Sequence, residues 1–300
     1  MTETIKQVIV EILTEAGITL ISQEISIVKM RASISYKGGK VLFFVFKKHE
    51  PAPIAVAKFT ELNSTLSAVQ EADYLKTVES DLAGTLISAS VPRIYGSKTL
   101  LSGQLSVESF VGNSAVQTID DAYIAQAFKW LTQFHTIVKG KKTITITAQD
   151  YKNKLEEYEK LIPNLFPETS YRERVYLFID TFFAKEAELI SWSQHGDFHP
   201  GNVLVVNDRI AVIDWSRYGT LNVPGFDAIF FARRCPGGIE AQKKHLDLYF
   251  ETFQISQGAQ NFAYVIGDLF DSLERHAIGN APYLSNFFPI FFERNRMFSI

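Results

Sequence analysis

The change in the prevailing hydrophobic period along the chain limits the possible folds more than any other feature. Up to residue 110 a period of two prevails, interrupted by helical stretches; from Asp120 onward apolar residues mostly recur at three and four. Strands are expected at 25–36, 41–48, 54–59, 92–95 and 104–110, with an opening helix over 4–15 (Ile5, Val8, Ile9, Ile12, closed by Gly17) and a second over 61–78. Gly38 and Gly39 can both take the positive φ of a tight turn between the first two strands. Helices are expected at 121–138, 150–162, 171–191, 238–256 and 260–276. An antiparallel sheet followed by a helical region is an α+β arrangement.

The helical region holds one island of period two. Val203-Leu204-Val205-Val206 and Ile210-Ala211-Val212-Ile213 read as short strands joined at Asn207-Asp208. The two ends of a hairpin meet, so Asn202 at its start and Asp214 at its end should lie together, with Asp197 on the loop just before. Carboxylate and carboxamide oxygens suit a hard cation such as magnesium, and an Asp that the metal does not use can accept a hydroxyl proton.

The run His195-Gly196-Asp197-Phe198-His199-Pro200-Gly201-Asn202 resembles the catalytic loop of the aminoglycoside phosphotransferase and choline kinase family, small-molecule relatives of the protein kinases. That family has His-x-Asp and an Asn five residues after the Asp. Ile213-Asp214-Trp215 stands where protein kinases have Asp-Phe-Gly, and Asp227 in Phe-Asp-Ala is similar to the family's downstream structural Asp. The resemblance implies a two-lobed protein-kinase-like fold, with a nucleotide-binding lobe over 1–107, a hinge at 108–112 and a helical lobe over 113–300 that carries the catalytic loop and acceptor site. It implies ATP, with GTP as an alternative donor, and transfer of the γ-phosphoryl group to a small-molecule hydroxyl. Asp197 would be the catalytic base, Asn202 and Asp214 the magnesium ligands, and His195 and Asp227 structural supports.

In the same way Val56-Ala57-Lys58 resembles the kinase strand whose Lys neutralises phosphate charge, with Glu71 thirteen residues on as its partner. Ser106 to Gly112 resembles the hinge, where the main chain at Glu108 and Phe110 would meet an adenine edge, and Val56, Leu204 and Ile213 would enclose the base. Two departures matter. The chain has Ser35-Tyr36-Lys37-Gly38-Gly39-Lys40 where a Gly-x-Gly-x-x-Gly loop would cradle phosphates. Asp227 follows only thirteen residues after Asp214, which leaves little room for a peptide-holding segment and favours a small acceptor.

Charge narrows the partners. Thirty Lys and Arg against 33 Asp and Glu give a net −3, so no global field draws the chain to nucleic acid or anionic lipid. A single cysteine, Cys235, an acidic residue near the start where a signal peptide needs positive charge, and no long apolar run lead to the expectation of a cytoplasmic protein without a membrane segment. Two other readings use the same residues. A non-catalytic pseudokinase would bind nucleotide without transfer, and a metal-dependent hydrolase would use His195, Asp197 and His199 as ligands. For the acceptor, Asp268, Asp271 and Glu274 are candidates to receive a cation and Arg217 an anion. Twenty-four phenylalanines, including Phe198 and those between Tyr283 and Phe298, suggest aromatic walls around a smaller, partly apolar acceptor.

Overall fold

Alternation along the strands sets the first half of the fold. The computed structural model describes residues 2–31, 40–62, 67–112, 118–162, 164–277 and 287–294. In chain order its elements begin with α1 (Thr2–Glu15), β1 (Ile25–Arg31), β2 (Val41–Lys47), β3 (Pro53–Thr60), α2 (Ala68–Leu82), β4 (Ile94–Leu100) and β5 (Gly103–Ser109). There follow α3 (Asp121–Lys141), β6 (Ile144–Ile146), α4 (Ala148–Leu161), α5 (Thr169–Phe183), β7 (Leu189–Ser191), β8 (Val203–Val206) and β9 (Arg209–Val212). The remainder is helical: α6 (Phe226–Arg234), α7 (Gly238–Ala241), α8 (Lys243–Phe253), α9 (Gln257–Ala277) and α10 (Phe287–Arg294). By spatial clustering these form two compact units, Met1–Phe134 with Asp197–Tyr218, and His135–Gly196 with Gly219–Ile300.

In the first unit five antiparallel strands lie in the order β1-β2-β3-β5-β4. Ala55, Ala57 and Phe59 of β3, Phe43 and Val45 of β2, and Leu105 and Val107 of β5 join Ile5, Ile9, Ile12 and Leu13 of α1 in one buried cluster. Each large aliphatic side chain removed from water there contributes about 1.5–3 kcal/mol. Because side chains alternate between faces, Val56 and Lys58 of β3 and Ser106 and Glu108 of β5 are left to the other face. The β8–β9 hairpin closes on Asn207 and Asp208, at φ +49° and +61°, the left-handed pair that a two-residue turn needs.

Several expectations change. The helix foreseen over 61–78 starts only at Ala68, after Ser67 caps it by accepting from the Gln70 N–H at 3.0 Å. The one foreseen over 171–191 stops at Phe183; Leu189–Ser191 instead pairs with β6, its middle residue outward and the other two buried. The stretch 238–256 divides into α7 and α8 at Gln242. Helix α6 was not foreseen at all, because Phe226 to Ala232 are all buried and a helix covered on every side shows no amphipathic stripe. The Gly38-Gly39 turn lies outside the described residues. Among the described residues no helix is long and apolar enough to cross a membrane.

The second unit is held by aromatic packing. Phe262 of α9 stacks on Phe182 of α5 with ring centroids 4.1 Å apart, and Tyr151 of α4 stacks on Phe270 at 5.8 Å. Phe288 and Phe291 of α10 are buried, with Phe288 stacked on Tyr171. Phe288 and Phe291 of the phenylalanine-rich tail are therefore core.

Candidate active site

On the face of the sheet turned away from α1, Lys58 is the centre of a buried ion network. Its Nζ lies 2.5 Å from Glu71 Oε1 and 2.8 Å from Glu108 Oε1. Glu71 is delivered by the way α2 begins: Thr60, two residues after Lys58, accepts the Ala68 N–H at 3.1 Å, and the Ser67 hydroxyl donates to Gln104 of β5 at 2.6 Å. The start of the helix is thus pinned to β3 and β5, and Glu71 falls one turn in. Its second oxygen is taken by Lys40, just ahead of β2, with Nζ 2.7 Å from Glu71 Oε2 and 3.3 Å from Asp214 Oδ1. The result is an alternating row, Glu108, Lys58, Glu71, Lys40, Asp214.

Burial on its own would lower the proton affinity of both lysines. For Lys58 the charges of Glu108 and then Glu71 outweigh it, and for Lys40 those of Asp214 and Glu71 do, so both ammonium groups are held above the usual lysine range. Glu108 moves the other way for a carboxylate: burial raises its pKa above the ordinary range against the pull of Lys58.

The β8–β9 hairpin brings the loop carboxylates together as its geometry requires. The Ile213 N–H donates to the Asn202 carbonyl at 3.0 Å, extending the ladder by one rung, so Asn202 and Asp214 flank the same end. The Asn202 amide donates to the Asp197 carbonyl at 2.9 Å and to Asp197 Oδ2 at 3.1 Å. Asp214, itself at φ +61°, accepts from the Ser216 hydroxyl at 2.7 Å. His199 Nε2 and Arg217 each stand 3.6 Å from an Asp197 oxygen. Burial would raise the Asp197 carboxyl, but the His199 hydrogen bond and the Arg217 charge together hold it below the usual Asp range. Asp197 is therefore an anion at neutral pH. Asn202 and Asp214 offer oxygen donors of the kind a hard divalent cation takes, and the Lys40 ammonium at 3.3 Å marks Asp214 as a place where a cation is received.

In the second unit Asp227 anchors the start of the same loop. Its carboxylate accepts the N–H groups of His195 (2.6 Å) and Gly196 (2.9 Å), lies 3.2 Å from His135 Nε2, and is buried with no exposed surface. His135 Nδ1 meets the Tyr249 hydroxyl at 2.6 Å. Gly196 has φ +82°, a left-handed turn that aims its N–H at Asp227 at no steric cost. The His195 side chain is completely buried. Among the described residues no three His, Cys, Asp or Glu side chains converge as a metal cluster, so the hydrolase reading finds no set of ligands there.

Of the residues expected around a base, Val56 lies opposite Phe44 in the sheet, and the Phe44 ring meets Phe110 edge-on at 6.0 Å. Gly112, at φ +119°, passes so close to Leu204 that a Cβ there would stand 3.1 Å from its Cδ1. Ile213 follows on the hairpin. Glu108 differs from expectation: it is paired within the sheet, with Val56 on one side and Ile94 on the other, and its carboxylate is on Lys58. Main chain leaves the sheet after Ser109.

A sequence model of the phosphotransferase enzyme family APH matches residues 45–253, more than two thirds of the chain. The chain belongs to that family. Solved structures agree on the fold of this phosphotransferase. A provisionally assigned fructosamine-3-kinase from Thermobifida fusca has 15% identity and a TM-score of 0.62, covering 98% of this chain and 99% of its own. The GDP complex of a variant aminoglycoside 2′-phosphotransferase IIIa has 14% identity and a TM-score of 0.56, covering 96% and 93%. An amicoumacin kinase in complex with AMP-PNP, Ca2+ and Ami has 12% identity and a TM-score of 0.56, covering 92% and 89%. No curated protein sequence matches the chain. The α+β, protein-kinase-like fold is thus that of a small-molecule phosphotransferase with a hydroxyl acceptor.

Sequence reasoning missed Lys40 in this phosphotransferase and did not foresee that Arg217 stands beside Asp197. Lys40 had the right parity: it shares a face with Leu42, which pairs with Lys58, so alternation alone could have found it. Of the acceptor candidates, Asp268 is paired with Arg233 at 2.8 Å and Asp271 lies 3.7 Å from Arg234, while the Glu274 side chain lies outside the described residues. Phe198 is wholly buried and stacked on Trp130 at 5.7 Å, so it is core and not an acceptor wall.

Proposed function

We propose that this phosphotransferase moves the γ-phosphoryl group of ATP, with magnesium, to a hydroxyl of a small molecule of low positive charge such as a sugar derivative. The observation that carries the reading is Asp197: an ionised carboxylate held by the Asn202 amide, one hairpin end away from Asp214 and on the same unit as the Lys58–Glu71 pair. In the reaction Asp197 orients the acceptor hydroxyl and takes its proton. Lys58, steadied by Glu71, offsets phosphate charge, and Asn202 and Asp214 hold the metal. When bound, the metal neutralises charge on the transferring phosphoryl group. Val56, Leu204 and Ile213 enclose the base, and its hydrogen-bonding edge meets main chain at Phe110 to Gly112, the outer part of a hinge at 108–112. The relatives crystallised with AMP-PNP and with GDP support a purine nucleotide donor and leave ATP and GTP to be compared directly.

Arg217 beside Asp197 supports an acceptor without a dense cationic face, since a polycation would meet like charge there. The test is turnover of Mg·ATP over a panel of sugar derivatives, amino alcohols and aminoglycosides, wild type against Asp197→Asn. A fall of roughly 10²–10⁴-fold is expected for the variant. Equal rates would remove Asp197 from the chemistry. Nucleotide binding without turnover on any acceptor would favour the pseudokinase reading.

A further inference from the structure

We propose that Lys40 is a second phosphate-binding cation, parked on Asp214 and Glu71 in the nucleotide-free protein and handed to the phosphates when a metal nucleotide arrives. This rests on the nucleotide reading above and adds to it a residue that no sequence motif marks.

Three observations carry it. First, Lys58 is heavily committed, because two carboxylates lie 2.5 and 2.8 Å from its one ammonium. Its remaining pull on an incoming polyanion is correspondingly reduced. Second, the row Glu108, Lys58, Glu71, Lys40, Asp214 sets three carboxylates against two ammonium groups, so without Lys40 a nucleotide would approach a site with a large excess of negative charge. Third, Lys40 is placed to move. Its side chain is only 11% exposed, yet it comes from the residue before β2, at the point where the chain has two glycines in place of a full phosphate-cradling loop. A four-carbon stem ending in a point charge can shift its ammonium by several ångströms without moving its backbone.

The exchange follows from charge. A divalent cation at Asp214 and an ammonium 3.3 Å from the same oxygen repel each other, so binding the metal displaces Lys40. Released from Asp214, the ammonium keeps Glu71 Oε2 at 2.7 Å on one side and turns its other N–H groups to the phosphates that come with the metal. One lysine would then supply by charge what main-chain N–H groups of a glycine-rich loop supply by geometry.

The sign of the effect separates this role from a structural one. Lys40→Met, Lys40→Gln and Lys40→Arg are compared with wild type in calorimetric binding of Mg·ADP and, separately, in binding of Mn2+ alone followed by its EPR signal. The Met and Gln variants should bind Mg·ADP about 10–100-fold more weakly, the loss of one charge-assisted contact, while binding Mn2+ alone more tightly because its competitor at Asp214 is gone. Arg should restore most of the ADP affinity. Unchanged ADP affinity in the Met and Gln variants, or a parallel weakening of ADP and Mn2+, would overturn the proposal. If wild type itself fails to bind Mg·ADP, the nucleotide reading falls and this proposal with it.

Discussion

Asp227 shows how much one buried carboxylate can hold. It accepts two adjacent main-chain N–H groups and faces His135, all within the second unit and out of contact with water. Asp227→Ala removes the acceptor for both N–H groups and should cost about 3–5 kcal/mol, read as a lower urea midpoint, whereas Asp227→Asn keeps one oxygen and should cost less. Cys235 gives a pH-dependent test. Burial pushes its thiol from the ordinary 9.0 up to about 12. Its contribution to stability is complete below pH 9 and is lost as the pH rises from there toward 12, because the unfolded chain releases that proton first. At pH 8 the thiol stays protonated, so alkylation of the native protein should be slow and should rise sharply on addition of urea. Rapid native labelling would contradict the burial. At this scale the sequence was informative wherever a residue's neighbours in the chain define its work, as for Asp197, Asn202 and Asp214. It could place Lys40 on the right face by alternation and offered Arg217 as a receiver of an anion, but it did not give their partners, Glu71 being brought to Lys40 only by the packing of α2.

Among the elements, α2 does more for the site than its own stripe suggests. Its first turn is fixed by Ser67, which both caps the helix and bonds Gln104, and that attachment sets where Glu71 sits. Ser67→Ala should lower stability by about 1 kcal/mol in thermal or urea unfolding and weaken nucleotide binding in proportion to the lost Glu71 placement. A loss of stability with nucleotide affinity untouched would show that Glu71 holds its place without the cap. Strands were the most legible elements, because alternation survives when one face meets α1 and the other a polar site. Helix α6 was illegible for the opposite reason: burial on all sides erases the pattern that reveals a helix. The short strand β7 was read as helix because three apolar or small residues carry no period, and only its pairing with β6 decides it.

For the whole molecule, the residues assigned to nucleotide and metal all fall in one compact unit. Lys40, Lys58, Glu71 and Glu108 come from its first stretch, and Asp197, Asn202 and Asp214 from its second. Mg·ADP at a hundred times its Kd should stabilise the protein by about 2.7 kcal/mol. Hydrogen exchange should slow first in β2, β3, the start of α2 and residues 197–218, and much less in α4, α5 and α9. Uniform protection would mean that the two units share the ligand's effect equally.

The order of synthesis gives this discontinuity a further consequence. The ribosome delivers the sheet, α1, α2 and most of α3 long before the hairpin that completes their unit, because residues 135–196 must be made in between. At roughly 5–20 residues per second that interval lasts several seconds. During it Trp130 and Phe134 lack Phe198 and Trp215, the rings that later pack face-on and edge-on against them. The nascent chain therefore presents an aromatic surface to the cell before it can present a nucleotide site, and a ribosome stalled short of residue 218 would leave that surface uncovered.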